Sequence, residues 1–223
     1  MEELKTKTID GKRFYVNSKG LSYPSITTVL GHFNKKSLQE WRKRVGEEEA
    51  NKISRKASTN GTRVHNILEQ YLKGNPYEEK LKTPLIKEQF YSMKKLLDEH
   101  LTEVKHQEIV LYSNTFKIAG RVDLIGVWKN NLTVIDFKTS KKPKKIEWIQ
   151  DYFLQTSFYA AAYYEMTNIP IKNITILIVI PGENPQIFEE KPIKFLNTLK
   201  KKSIDFHSYL ERKHQNETPN HNL

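Results

Sequence analysis

Cysteine is absent from the 223 residues of this sequence. Its absence excludes disulfide bonds and thiolate metal sites, so oxygen atoms or imidazole nitrogens would have to hold any metal. Apolar runs are short as well, and the longest, from Ile174 to Ile180, suits a buried strand rather than a membrane span. The N-terminus has neither a signal-peptide pattern nor the arginine-rich, acid-poor composition of a transit peptide. We therefore expect an intracellular protein.

Acidic residues are scarce relative to basic ones. The chain has 26 Asp and Glu against 37 Lys and Arg, which gives a formal net charge of +11. This excess predicts an anionic partner, with nucleic acid as the first choice and an acidic membrane surface as the second. Many of the lysines must be solvated surface, so the charge needs support from a site before it indicates a function.

The length suits one domain with a sizeable core, and no repeat or linker divides it. We expect a single domain over residues 1–215, with a helical part at about 24–103 and a core at about 104–215. A polar tail at 216–223 is expected to be disordered. Strand patterns alternate with long helix patterns in the core and predict an α/β (α+β-like) fold, a mixed central β-sheet flanked by helices.

Two helices are predicted before the core. A capping-box pattern at Ser37 and Glu40 opens the first, which should run to about Arg55. The polar residues Ser58–Asn60 then break the pattern, and Gly61 begins a second helix that carries His65. A lone histidine on a helix is more often structural than functional, unless a metal site lies nearby.

Charged residues interrupt the most strand-like stretch, Ile118 to Ser140. This stretch predicts a hairpin of two apolar strands with a polar turn near Asn130. Asp123, Asp136 and Lys138 fall within the strands, where a charge is costly unless it is paired, hydrated or bound to a metal. A conflict between pattern and charge of this kind is typical of a functional site.

The register of the hairpin decides whether these charges meet. A two-residue turn at Asn130-Asn131 would put Asp123 opposite Lys138, and a four-residue turn from Trp128 to Asn131 would put it opposite Asp136. Both registers bring the three charges together on one face. A three-residue turn without a bulge would place Asp123 on the other face.

Two carboxylates with an imidazole are suitable ligands for a hard divalent ion. Such an ion activates water and polarises a phosphoryl oxygen, and Lys138 could orient or deprotonate the attacking water. With the basic composition, this cluster predicts metal-dependent hydrolysis of a phosphodiester. Glu108 could be a further ligand or an ordinary charge on an edge strand. The hydroxyls after Pro24 could hold a phosphate or simply cap a helix.

Five motifs in order resemble those of the PD-(D/E)XK nuclease superfamily, and specifically its RecB-like exonuclease branch. They are Pro24–Leu30 (PSITTVL), Gly61–His65 (GTRVH), Gly120–Asp123 (GRVD), Asp136–Ser140 (DFKTS) and Gln155–Tyr159 (QTSFY). The resemblance implies a restriction-endonuclease-like core. It also implies Mg²⁺ or Mn²⁺ bound by His65, Asp123, Asp136 and the backbone carbonyl of Phe137, with Lys138 serving catalysis. The residues expected to bind DNA or support the site are Ser25, Thr27, Thr28, Arg63, Thr139, Ser140, Gln155 and Tyr159.

The function implied by the resemblance is a metal-dependent DNA exonuclease. It would act on single-stranded DNA or free DNA ends in replication, recombination or repair, and membranes are not among its expected partners. A site- or structure-specific endonuclease and a non-catalytic DNA-binding module on the same fold are the alternatives. The chain lacks the cysteines of iron–sulfur relatives and the motifs of fused helicases. A bacterial or phage-infected cell is the expected setting.

Overall fold

The computed structural model describes residues 4–217. The strands are β1 (Lys5–Ile9), β2 (Lys12–Val16), β3 (Ser22–Pro24), β4 (Leu101–Ser113), β5 (Ile118–Trp128), β6 (Asn131–Thr139), β7 (Asn173–Val179) and β8 (Gln186–Glu190). The α-helices are α1 (Ile26–Phe33), α2 (Lys35–Val45), α3 (Glu47–Leu72), α4 (Pro84–His100), α5 (Gln150–Thr167) and α6 (Ile193–Glu217). Short 3₁₀ turns cover Glu78–Lys80 and Ile146–Ile149.

The strands from β4 to β8 form one sheet in chain order, β4-β5-β6-β7-β8. Strands β6 and β7 are parallel, because helix α5 returns the chain to the same end of the sheet, and the other neighbours are antiparallel. Helices α1, α5 and α6 pack on one face of the sheet, and α3 and α4 on the other. The predicted mixed sheet flanked by helices is confirmed.

The central hairpin has the register that brings its two aspartates together. Val127 pairs with Leu132, so the predicted register of the four-residue turn is present. The loop itself is shorter, however, because pairing continues to Trp128 and Asn131 and leaves only Lys129 and Asn130 unpaired. Their φ angles of 47° and 65° suit a tight two-residue hairpin turn. Of the two turns considered, the two-residue turn at Asn130-Asn131 is wrong by one position, and the four-residue turn is right in register but longer than the observed loop.

The helices before the sheet break at a different place from the predicted one. Helix α2 ends at Gly46, whose φ of 91° lies in a region that favours glycine. Helix α3 then continues without interruption from Glu47 to Leu72. The predicted break at Ser58–Asn60 lies inside α3. There the Asn60 side chain donates to the Gln89 amide oxygen at 2.9 Å, so a tertiary contact replaces the local preference for a turn.

The N-terminal strands form a separate small sheet, β1-β2-β3, that leads directly into α1. At the other end, α6 extends to Glu217, so the first two residues of the predicted tail are helical and residues 218–223 lie outside the described part. Within residues 4–217, no helix combines the length and apolarity that crossing a bilayer requires.

Candidate active site

Three elements bring a histidine, acidic residues and a lysine together. His65 comes from α3, Asp123 from β5, and Asp136 and Lys138 from β6. The β5–β6 ladder ends at the pair Leu124 and Ile135, so Asp123 and Asp136 lie at the point where the strands begin to separate. This separation leaves space for the polar side chains of the cluster within a sheet that is packed against an apolar core on both faces.

Beyond the end of the ladder, the Asp123 side chain replaces the backbone of β5 as a hydrogen-bond partner of β6. Its Oδ2 accepts a hydrogen bond from the backbone N–H of Phe137 at 2.9 Å. The same oxygen lies 3.7 Å from His65 Nδ1. His65 Nε2 is 2.8 Å from the Phe137 carbonyl oxygen, which can only accept, so Nε2 carries the hydrogen. A neutral His65 ring therefore presents an unprotonated Nδ1 toward Asp123.

Asp136 is the most deeply buried charge of the cluster, at 1% exposure. Its Oδ2 forms an ion pair with the Lys138 ammonium, while Oδ1 has no hydrogen-bond partner among residues 4–217. Burial raises the pKa of Asp136, Lys138 opposes the rise and the nearby Asp123 adds to it, so that the resulting pKa is about 6. A buried carboxylate with a free oxygen favours binding a cation.

Lys138 is held by its surroundings as an ammonium. Burial lowers the pKa of Lys138, but the carboxylates of Asp136 and Asp123 outweigh burial and the pKa is raised overall. The ammonium also lies 4.9 Å from the centre of the Tyr152 ring, a cation–π contact. In this state Lys138 is a proton donor and a positive charge, so its predicted alternative role in deprotonating water finds no support in its environment.

Glu108, on β4, lies opposite Asp123 on the neighbouring strand β5. The ladder pairs on either side are Gln107 with Leu124 and Ile109 with Val122. Glu108 has a φ of 53°, a conformation that costs a non-glycine residue of order 1 kcal/mol. Burial and then the neighbouring Asp123 raise the pKa of Glu108 to about 7. Its carboxylate, His65 and Asp123 offer ligand atoms within 4.8 Å of one another, which favours the further-ligand hypothesis over an edge-strand charge.

The cluster opens into a pocket of about 450 Å³. Two arginines that the sequence patterns did not single out line it, Arg13 from β2 and Arg121 from β5. Arg121 lies two residues before Asp123, and alternation along a strand was a signal that could have found it. No local signal marks Arg13, because the small N-terminal sheet brings it to the pocket. Both side chains add positive charge at the entrance to an acidic cluster.

Helix α5 forms the wall behind the pocket. Gln155 Nε2 donates to the hydroxyl of the buried Tyr159 at 3.1 Å, and both side chains line the pocket. Burial raises the pKa of Tyr159 well above its usual value, so it is a neutral phenol. Gly120 lies against this wall, since a Cβ there would meet the Tyr159 ring at 2.9 Å. The glycine of the GRVD motif thus permits close packing of β5 against α5.

The hydroxyls after Pro24 cap helix α1. Ser25 Oγ accepts from the backbone N–H of Thr28 at 3.0 Å and donates to Thr28 Oγ1 at 2.8 Å. Thr28 Oγ1 contacts the backbone of Arg13, and it does not line the pocket. Ser25 and Thr27 do line it. The capping interpretation describes what Ser25 does. The exposed Thr27 hydroxyl lies 3.0 Å from Ser25 Oγ, on the side of the cap that faces the pocket.

Besides Thr28, three of the predicted supporting residues lie outside this pocket. Arg63, Thr139 and Ser140 line a neighbouring groove between α3, α4 and the end of β6. Ser140 Oγ is used within its own loop, where it donates to the Lys142 carbonyl at 2.7 Å.

A family model supplies the assignment. The model of the PD-(D/E)XK nuclease superfamily matches residues 33–220. The chain belongs to the PD-(D/E)XK nuclease superfamily. The matched region contains the cluster of His65, Asp123, Asp136 and Lys138, and the superfamily resemblance of the sequence motifs is confirmed.

Among curated proteins, this PD-(D/E)XK chain is similar to human (Homo sapiens) mitochondrial genome maintenance exonuclease 1, with 27% identity over 168 residues. The likeness covers 70% of this chain and 48% of the human protein, so the chain spans about half the length of that relative. Among solved structures it is similar to a Eubacterium rectale protein provisionally named an exonuclease and to SSO0001. The first has 10% identity and a TM-score of 0.41 and covers 63% of this chain and 64% of its own. SSO0001 has 16% identity and a TM-score of 0.35, and the match covers 66% of this chain and 72% of SSO0001.

Nucleases of the PD-(D/E)XK superfamily use divalent metals, and the side chains of this cluster fit such an ion. Imidazole and carboxylate oxygens are the ligands that the ion prefers. Burial, with the nearby Asp123 carboxylate adding to it, holds the pKa values of Asp136 and Glu108 above their ordinary range, and a cation beside these carboxylates would favour their ionised forms. The buried, unbonded Oδ1 of Asp136 gives the same indication.

Proposed function

We propose that this PD-(D/E)XK nuclease is a metal-dependent DNA exonuclease that hydrolyses phosphodiester bonds in single-stranded DNA or at free DNA ends. The observation that carries the proposal is the convergence of His65, Asp123 and Lys138 at one pocket, with the buried Asp136 paired to Lys138. The exonuclease part draws on the likeness to the human exonuclease. Processing of DNA ends fits replication, recombination or repair.

The metal would be Mg²⁺ or Mn²⁺. His65, Asp123, Asp136 and the backbone carbonyl of Phe137 would hold it, and Glu108 offers a further carboxylate. The Phe137 carbonyl already accepts from His65, and its second lone pair remains for the ion. A divalent ion bound there would polarise a phosphoryl oxygen and lower the pKa of a water molecule bound to it.

The protein's own side chains supply the rest of the chemistry. Lys138, as an ammonium, orients the attacking water and stabilises negative charge that develops on the phosphate. Arg13 and Arg121 attract the phosphate backbone to the pocket despite the carboxylates within it. The Gln155–Tyr159 pair fixes the pocket wall and presents a neutral hydroxyl to the bound strand.

End-labelled DNA tests the proposal. A linear single-stranded oligonucleotide labelled at its 5′ or 3′ end, incubated with Mg²⁺ or Mn²⁺, should give a ladder or mononucleotides, and EDTA should stop the reaction. Circular single-stranded DNA of the same sequence should stay intact. Cleavage of the circular DNA would contradict an exonuclease and indicate an endonuclease instead. Binding without cleavage under either metal would leave only the non-catalytic module.

A further inference from the structure

A second cavity, of about 980 Å³, adjoins the candidate site. We call it the basic groove, and its cationic lining consists of Lys52, Arg55, Lys56, Arg63 and Lys141. It lies between α3, the start of α4 and the loop that follows β6. The proposed chemistry assigns no role to this groove, although it is larger than the pocket that holds the acidic cluster.

The charges of the basic groove are largely uncompensated. Five cationic side chains face one carboxylate, that of Glu48. Lys52 pairs with the exposed Glu49 at 3.7 Å. The other four cations form no ion pair with any carboxylate among residues 4–217. A concave surface with excess positive charge attracts a polyanion and is suited to a phosphate backbone.

The basic groove is adjacent to the candidate site, because the same two elements border both. On α3, Arg63 lines the groove and His65, two residues on, lines the pocket. On β6, Lys138 lines the pocket and the adjacent Thr139 lines the groove. A Cβ at Gly61 would lie 3.7 Å from Thr139 Oγ1, so α3 and the end of β6 are in contact where the cavities meet.

The cations also extend well away from the acidic cluster. Arg55 and Arg63 are eight residues apart on a continuous helix, a distance of about 12 Å along its axis. Lys56 lies seven residues before Arg63 and therefore on nearly the same side of α3. A substrate with a single phosphodiester bond at the cluster cannot reach that far, but a strand of several nucleotides can.

We propose that the basic groove binds the sugar–phosphate backbone of the nucleic-acid strand whose scissile phosphate lies at the cluster. Arg55, Lys56, Arg63 and Lys141 contact successive phosphates beyond the cleavage point. The groove thereby makes the enzyme efficient on polymers rather than on small phosphodiesters. This inference rests on the proposed nuclease function, and the experiment below separates the two.

The test uses the triple variant Arg55→Ala, Lys56→Ala and Lys141→Ala. All three side chains are exposed, so their removal should not unfold the protein. The matched control removes the same charge from the opposite side of the sheet, at Lys172, Lys200 and Lys201, which are also exposed. The substrates are a 30-nucleotide single-stranded DNA and bis(p-nitrophenyl) phosphate. Fluorescence anisotropy measures binding of the same DNA in EDTA over a range of salt concentrations.

We expect the groove variant to lose at least about tenfold in kcat/KM on the oligonucleotide and to keep the wild-type rate on the small ester within about twofold. Its slope of log binding constant against log salt should fall by about 2, since each single-strand phosphate contact contributes about 0.7. The control should match wild type in every assay. Equal behaviour of groove variant and control on the oligonucleotide, or equal losses on both substrates, would overturn the inference.

The binding assay remains decisive if the wild type cleaves neither substrate. In that case the proposed nuclease function fails, but weaker DNA binding by the groove variant than by the control still supports the groove. Unchanged binding by the groove variant would then overturn the groove as well.

Discussion

Gly120 offers a sharp test of how the candidate site is packed, because a methyl group has no room there. A Cβ would lie 2.9 Å from both Ile26 Cγ2 and Tyr159 Cε1. These neighbours are 1% and 2% exposed, so neither can move into solvent. Overpacking of this kind costs about 1–3 kcal/mol. Gly120→Ala should therefore lower the free energy of unfolding by about 2 kcal/mol, which lowers Tm by roughly 4–8 °C in a chain of this size.

Two helical glycines provide matched controls for this substitution. A Cβ at Gly31 meets nothing within 4 Å, and one at Gly61 meets only Thr139 Oγ1 at an ordinary 3.7 Å. Alanine is favoured over glycine inside helices by about 0.5–1 kcal/mol, so both alanine variants should equal or exceed wild type in Tm. Calorimetry and urea denaturation measure the three proteins. A Gly120→Ala variant as stable as wild type would refute the close packing of β5 against α1 and α5.

Three further predictions concern single side chains. Lys138→Ala and Asp136→Ala should each lower DNA cleavage roughly 100-fold or more while circular dichroism stays native, and near-normal cleavage by either would remove it from the mechanism. Glu108→Gln should weaken Mn²⁺ binding in calorimetric titration about tenfold; its control, Glu103→Gln on the same strand, should not, and equal affinities would exclude Glu108 as a ligand. Ser25→Ala should cost about 1 kcal/mol through loss of the α1 cap, a fall in Tm of roughly 2–4 °C, and an unchanged Tm would contradict that role.

The central hairpin shows how far strand periodicity alone can reach. Alternation along β5 and β6 limited Asp123 to a few positions relative to Asp136, and the register observed is one of those considered. Turn length could not be derived, because Lys129 carries no signal for positive φ and the adjacent Asn130 and Asn131 tolerate it equally well. The mistaken helix break at Ser58–Asn60 has a similar cause, since a tertiary hydrogen bond from Asn60 offsets its local preference.

Other parts of the site depend on contacts that no local pattern encodes. Arg13 reaches the pocket only because the small N-terminal sheet packs beside β5, and a separation of 110 residues from Asp123 leaves no periodic signal. Glu108 was considered as a ligand, but its alignment with Asp123 depends on register shifts in β4 between Leu101 and His106. The uncompensated charge of the basic groove likewise became visible only once α3, α4 and the end of β6 were placed together.

The most direct test of the central claim is metal-dependent release of nucleotides from end-labelled single-stranded DNA by wild type and by Asp136→Ala. Asp98→Ala, which removes a carboxylate from the surface of α4, serves as the control. Shortened labelled products from wild type and the control with Mg²⁺ or Mn²⁺, and none with EDTA or from Asp136→Ala, are predicted. Intact DNA with wild-type protein in both metals, or equal cleavage by Asp136→Ala, would contradict the assignment of this cluster as a metal-dependent nuclease centre.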